Sequence, residues 1–222
     1  MLRQSSLMLT EEANITLKLV TKQHELDYAK EITKLYHGYK PSFSWVGRQI
    51  NWLVVDNSLG PVGVIGIGSP GGLNFSKVIW EYIGIKGNNC VTDLNLNLIA
   101  DNWRFTLCPW AKKNTASQAL GLLNREAKTK WFEFYGDKLF LLITFVETPR
   151  NGTVYRAASW DYVGVSGKGK FRSKMAYGKA KCSEKGAWFE KTEDAKEKLI
   201  FAKPLHPYWR NAIIKNKGVC VG

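Results

Sequence analysis

KLFLLITFVETPRNGTVYRAASW (138–160) is the stretch on which the fold turns. Its first nine residues, KLFLLITFV (138–146), are apolar almost without interruption. A run this short and this uniform suits a strand covered on both faces, whereas regular alternation would mark a strand with one wet face. Such a strand lies inside a sheet that carries helices on both sides. Glu147 closes the run, Pro149 and Gly152 punctuate a turn, and GTVYRAASW reads as a short helix beginning after the glycine. Strand ends in layered sheets open onto crevices where ligands bind. Glu147 is therefore a candidate general base or metal ligand; the other reading is an exposed carboxylate paired with Arg150 or Arg156. Tyr155, on the inner face of the short helix, is either a second site residue or a core aromatic with its hydroxyl satisfied.

Working outward, ITLKLVTK (15–22) alternates as a half-buried strand does, and HELDYAKEITKLYH places Leu26, Ala29, Ile32, Leu35 and Tyr36 at helical spacing. INWLVVD and PVGVIGIG flank the turn sequence NSLG and predict an antiparallel hairpin. Residues 71–93 mix glycine with apolar residues and read as a long excursion or a small helical insertion. NWRFTLCPW (102–110) predicts a third core strand stopped by Pro109. KNTASQALGLLNREAKTKWFEFYG predicts a helix capped by Asn114 or Thr115. DYVGV and KEKLIFAKPL read as further strands, and HPYWRNAI closes the domain, with His206 packed in that segment. The plan is α+β: a mixed β-sheet flanked by helices, in one domain over residues 1–222.

Lys and Arg number 32 against 19 Asp and Glu, a formal net charge of +13, which makes DNA or another polyanion the natural partner. Solubility charge is the bland alternative. The excess concentrates in a Gly-punctuated arm at 166–185, where Lys168, Lys170, Arg172, Lys174 and Lys179 interleave with Phe171 and Tyr177. Such an arm offers phosphate contacts and a stacking ring; a solvated charge run is the other reading. Cys90, Cys108, Cys182 and Cys220 stand singly, without the C-x-x-C spacing of zinc or redox motifs, and read as free thiols of a reducing cytoplasm. No apolar run reaches the ~18 residues of a membrane span, and MLRQSSLMLTEEAN lacks the apolar region of a secretory signal. A cytoplasmic protein with no membrane partner is expected.

Several ordered phrases together resemble the DruA family of Druantia anti-phage systems: LYHGY, WLVVD with GVIGIGSP, NLIADNWRFTLCPW, KNTASQALGLL, TFVETPRNGTVYRAASWDYVG and PLHPYWR. They span about residues 30 to 212. A narrower likeness, in the early Tyr-His pair, TASQAL and ETPRNGTVYRAA, is to Mom-type enzymes, which modify adenine in phage DNA. The element order is similar to the GCN5-related N-acetyltransferase-like fold. These resemblances imply DNA-directed work in phage and host conflict, with other defence-system or phage proteins as candidate partners.

The acyltransferase likeness implies a cofactor-binding loop at WAKKNTASQAL, with Lys112, Lys113, Asn114, Thr115 and Ser117 as its residues. That loop lacks the glycines that let a backbone cradle a pyrophosphate, which argues against coenzyme A and leaves the donor unknown. The Mom likeness makes His37 and Glu147 candidate ligands for iron or another first-row divalent metal, two donors of a set that needs more. Tyr36 and His37, ending the first helix, join Glu147 and Tyr155 as candidate catalytic residues. A base modified within a duplex must be flipped out, which gives Tyr39, Trp45 and Trp160 a stacking role. The expected function is a DNA-directed, Mom-like transferase that adds a small group to a base amine. The alternative is a non-catalytic DNA-binding subunit of a defence or mobile-element system.

Overall fold

The computed structural model describes residues 14–37, 47–70, 77–85, 93–166, 172–173, 189–190 and 197–215. Its centre is a seven-stranded mixed sheet. In chain order the main elements are β1 (Ile15–Leu19), α1 (Gln23–Tyr36), β2 (Gln49–Asp56), β3 (Gly60–Gly68), α2 (Lys77–Ile83), β4 (Ile99–Leu107), α3 (Thr115–Tyr135), β5 (Leu141–Glu147), α4 (Thr153–Ala157), β6 (Asp161–Val165), the short pair β7 (Arg172–Ser173) and β8 (Phe189–Glu190), β9 (Lys198–Pro204) and α5 (Trp209–Ile213). The strand order is β1-β2-β3-β4-β5-β9-β6, and every neighbouring pair is antiparallel except β4 with β5.

The expected hairpin is β2 and β3. Asp56 closes it: one carboxylate oxygen accepts from the Ser58 amide at 2.9 Å, the Ser58 hydroxyl at 2.7 Å and the Leu59 amide at 3.2 Å. An aspartate bonding to the backbone two residues on is the chemistry of an Asx turn. These bonds hold the Asp56 carboxyl below its ordinary range, the Ser58 hydroxyl contributing most.

Parallel strands cannot be joined by a tight turn, so β4 reaches β5 through α3. Ala119, Leu120, Leu123, Ala127 and Trp131 form its buried stripe and pack with Trp52, Ile65 and Leu142. Gly136, at φ 71°, ends the helix in the left-handed conformation that glycine adopts without a Cβ penalty. The N-terminus departs from expectation. Asn114 occupies the cap position but its side chain makes no capping bond, and Thr115 turns its hydroxyl back onto the Lys112 carbonyl at 2.7 Å.

The opposite face is covered in two places. Ala29 and Ile32 of α1 pack on Leu53, Val64 and Cys108; α2 and α5 bring Ile79, Trp80, Trp209 and Ile213 onto Leu141, Ile143 and Ile200. Leu141 to Thr144 are each 2% exposed or less, as the unbroken apolar run of β5 requires. Cys108 is a buried free thiol. His206 is exposed, its ring 5.5 Å from that of Phe140.

The boundaries differ from the sequence reading in two places. β4 starts at Ile99, three residues before the expected Asn102, because Ile99 to Asp101 already pair with Leu141 to Ile143. The excursion at 71–93 contains the helix α2, while 71–76 and 86–92 lie outside the described residues. Of the basic arm, Arg172 and Ser173 pair through their backbone with Glu190 and Phe189. Lys168, Lys170, Lys174 and Lys179 lie outside the described residues, as do Tyr39 and Trp45. No helix among the described residues is long and apolar enough to cross a membrane.

Candidate active site

The β4–β5 ladder is short. Ile99, Ala100 and Asp101 pair with Leu141, Leu142 and Ile143, and there the pairing stops, although β4 runs on to Leu107 and β5 to Glu147. The two strands part, and a cleft of about 420 Å³ opens between them. Tyr36, His37, Asn102, Phe105, Thr144, Glu147 and Tyr155 all line it.

Two local features make this parting tolerable for the backbone. On the β3 side, Gly66 pairs with Arg104 and Gly68 with Asp101, so two residues of β4, Asn102 and Trp103, stand opposite Ile67. This is a β-bulge, a device that re-aims side chains beside functional sites. The Asn102 side chain repairs the ladder there: its Nδ2 donates to the Gly66 carbonyl at 2.9 Å and to the Arg104 carbonyl at 3.0 Å. On the β5 side, the Thr144 hydroxyl donates to the Asn102 carbonyl at 3.1 Å, one step past the last paired residue. A side chain thus serves where a strand amide would have served.

Alternation along β5 puts Leu142, Thr144 and Val146 on the α3 side, where Leu142 and Val146 join the α3 core. Ile143 and Phe145 face the other side, with α2 and α5. Glu147 continues that second set and comes to the cleft from the side of α1, where Tyr36 and His37 end the helix. Tyr155 comes from the α3 side. These residues line one cleft, and they do so from opposite faces of the sheet.

Glu147 is half-buried. Arg156, one of the partners expected for a structural Glu147, lies instead over the rings of Tyr162, at 5.3 Å, and Phe201, at 5.5 Å. Tyr155 is 6% exposed. Its ring stacks on Phe201 at 5.6 Å and meets Trp160 edge-on at 5.2 Å, while its hydroxyl donates to Asn102 Oδ1 at 2.9 Å. Tyr155 is thus a core ring with its hydroxyl hydrogen-bonded, and it also lines the cleft. Tyr36 and His37 are half-buried, and Tyr36 meets the half-exposed Trp110 edge-on at 5.7 Å.

Other expected site residues have neighbours of their own. Trp160 is 3% exposed within the core cluster, so its ring offers no face to a flipped base here. His37 and Glu147 share the cleft, but among the described residues no group of three or more His, Cys, Asp or Glu side chains could hold a metal ion. The described residues alone do not make a metal centre. The loop before α3 is also occupied by its own contacts. The Lys112 ammonium lies 2.8 Å from the Ser58 hydroxyl and 3.8 Å from the Asp56 carboxylate. Thr115 is 1% exposed, and Ser117 donates to the Asn114 carbonyl at 3.1 Å. Lys113 and Asn114 are exposed. This is a poor cradle for a pyrophosphate.

Sequence reasoning missed Asn102 and Thr144. The signal was present: Thr144 interrupts the apolar run of β5 and Asn102 lies in a segment expected to be a core strand, and a buried polar side chain must find partners.

The model of the DruA family, Druantia protein DruA, matches residues 3–196. The chain belongs to the DruA family of Druantia anti-phage proteins. A comparison with curated protein sequences returns no match. Among solved structures, the chain is similar to spermidine N-acetyltransferase from Vibrio cholerae in complex with CoA and spermine, at 11% identity and a TM-score of 0.46, over 86% of this chain and 95% of that one. It is also similar to a putative acyl-CoA N-acyltransferase from Klebsiella pneumoniae, at 10% identity and a TM-score of 0.41, over 87% and 98%. Likeness at that level carries no argument about chemistry. The site has to be read from its own residues.

Proposed function

We propose that this DruA-family protein is a transferase that adds a small acyl-type group to an exocyclic amine of a DNA base, with the cleft between β4 and β5 as its active site. The observation that supports this most is the composition of the cleft. A half-buried carboxylate, Glu147, and a buried, hydrogen-bonded phenol, Tyr155, line one opening where the sheet parts. The net charge of +13 supports a polyanionic substrate.

In the proposed reaction the base amine attacks the carbonyl carbon of an activated acyl donor. The new C–N bond forms as the bond to the leaving group breaks, and the leaving group departs with that electron pair. The amine proton passes to the Glu147 carboxylate, the general base. The cleft walls hold the base and donor in register and keep water from the donor.

Nucleoside mass spectrometry of DNA from cells expressing the protein tests this reading, because the cell supplies whatever donor is used. A nucleoside of new mass is expected with the native chain and not with Glu147→Gln, which removes the charge at nearly constant volume. Unmodified DNA in both would instead support the non-catalytic DNA-binding subunit.

A further inference from the structure

The aromatic wall of the cleft continues past its mouth. Tyr36 lines the cleft, and its ring meets that of Trp110 at 5.7 Å and 88°. Trp110 itself stands outside the cleft and is 51% exposed. It is held on a fixed corner. β4 ends at Leu107, the Cys108 amide donates to the Val62 carbonyl at 2.8 Å, and the Ala111 amide donates to the Cys108 carbonyl at 3.0 Å. Pro109 and Trp110 are the two central residues of that turn, and Cys108 is buried in the cluster under α1. Proline at the first central position presets the backbone. An indole already fixed in place loses little freedom when a ligand covers it. The surroundings are cationic: from Asp101 to Glu126 the chain carries no acidic residue between them, but Arg104, Lys112, Lys113 and Arg125. Lys113 is exposed three residues after Trp110, and Arg150 is exposed in the cleft wall.

We propose that Trp110 is a stacking platform for the nucleobase next to the one in the cleft, in single-stranded or locally opened DNA. An exposed tryptophan also suits a protein partner, but the charge around this one favours a polyanion. A nucleic acid that follows a basic surface and lays its bases on aromatic rings uses both features at once. Inside a duplex both faces of a base are covered by its neighbours, so a base stacked on Trp110 has left the helix. Arg150 and Lys113 offer contacts to its phosphates. The proposal rests on the DNA-base reading and adds to it a binding residue outside the cleft and the unpaired state of the neighbouring nucleotide.

The test uses the full chain and two fluorescein-labelled decamers of equal charge: single-stranded DNA of mixed sequence, and the same sugar-phosphate backbone with every base removed. Affinities are compared by fluorescence anisotropy at one salt concentration for the native chain, Trp110→Ala and Trp110→Phe. The native chain should bind the mixed decamer more tightly than the abasic one. Trp110→Ala should weaken binding of the mixed decamer about five- to 150-fold, the range for loss of one base–aromatic stack, and leave the abasic decamer unchanged. Trp110→Phe, which keeps a ring, should fall between the native chain and Trp110→Ala. Equal affinity of the native chain for the two decamers overturns the inference without any variant having to fold. Native affinity of Trp110→Ala for the mixed decamer overturns it as well, and leaves the DNA-base reading standing, since that reading does not involve Trp110. If the native chain binds neither decamer, the DNA-base reading itself fails and the inference with it.

Discussion

Gly152 sets the direction of the turn that carries Tyr155 into the site, and its replacement by alanine should be costly for two separable reasons. Its φ is 69°, in the left-handed region, and a Cβ built on it would overlap the ring of Phe201. Phe201 is fully buried and stacks on Tyr155 at 5.6 Å, so it has nowhere to retreat without moving that tyrosine. The left-handed conformation costs a non-glycine residue about 1 to 2 kcal/mol, and overpacking a filled core about 1 to 3 kcal/mol. Gly60 supplies the control. Its φ of 76° is nearly the same, but a Cβ there meets nothing within 4 Å. Gly60→Ala should therefore lose only the conformational part, and Gly152→Ala should lose about 1 to 3 kcal/mol more. With a urea m-value of about 2 kcal/mol/M, that separates the two unfolding midpoints by roughly 0.5 to 1.5 M. Near-ultraviolet circular dichroism should change in Gly152→Ala alone, because the Tyr155, Phe201 and Trp160 rings must rearrange. Equal midpoints for the two variants would refute the packing argument.

Asp101 is buried on β4 beside the end of the β4–β5 ladder, with Oδ1 unbonded, and burial pushes its carboxyl up to about 7 against a weaker pull from Lys198. Folded protein then holds a proton that the unfolded chain, with a pKa of about 3.9, has released. The stabilising contribution is fully present below the unfolded value and is lost as pH rises through about 7. Asp101→Asn should flatten the decline in urea midpoint between pH 5 and 8 and exceed the native midpoint at pH 8; an unchanged pH profile would show that the carboxyl does not titrate there. Replacing Lys168, Lys170, Arg172 and Lys174 together by glutamine should weaken duplex binding and flatten the log–log salt slope by up to about 3.6 if each touches a phosphate. An unchanged slope removes the arm from the interface. Coenzyme A should show no saturable micromolar binding by calorimetry, given the glycine-free loop and the contacts of Lys112 with Asp56 and Ser58. Saturable binding would return the reading to a conventional acetyltransferase.

The parts of the fold legible in the sequence are those where pattern and burial agree. KLFLLITFV reads as a strand covered on both faces because it is, and NSLG reads as a turn because Asp56 bonds to the residues after it. Glu147 was legible as a cleft-lining residue from its place at a strand end. What could not be read depends on contacts between residues distant in sequence. The bulge at Asn102 forms against Gly66 to Gly68 of β3, and the Tyr155 hydroxyl bonds to Asn102, 53 residues away. Trp160 was given a stacking role from the need to flip a base, which says nothing of its burial; that comes from Tyr155 and the surrounding core cluster. The loop before α3 looked open because its partners, Asp56 and Ser58, belong to a different hairpin.

The central claim is that a DNA base enters the cleft between β4 and β5. Ultraviolet crosslinking of Glu147→Gln protein to fragmented genomic DNA, followed by mass mapping of the modified peptides, tests it most directly, since the variant should keep the base bound without turning it over. The account predicts nucleotide adducts on the cleft aromatics Tyr36, Phe105 or Tyr155. Adducts confined to the basic arm at 166–185, with the cleft peptides unmodified, would contradict it.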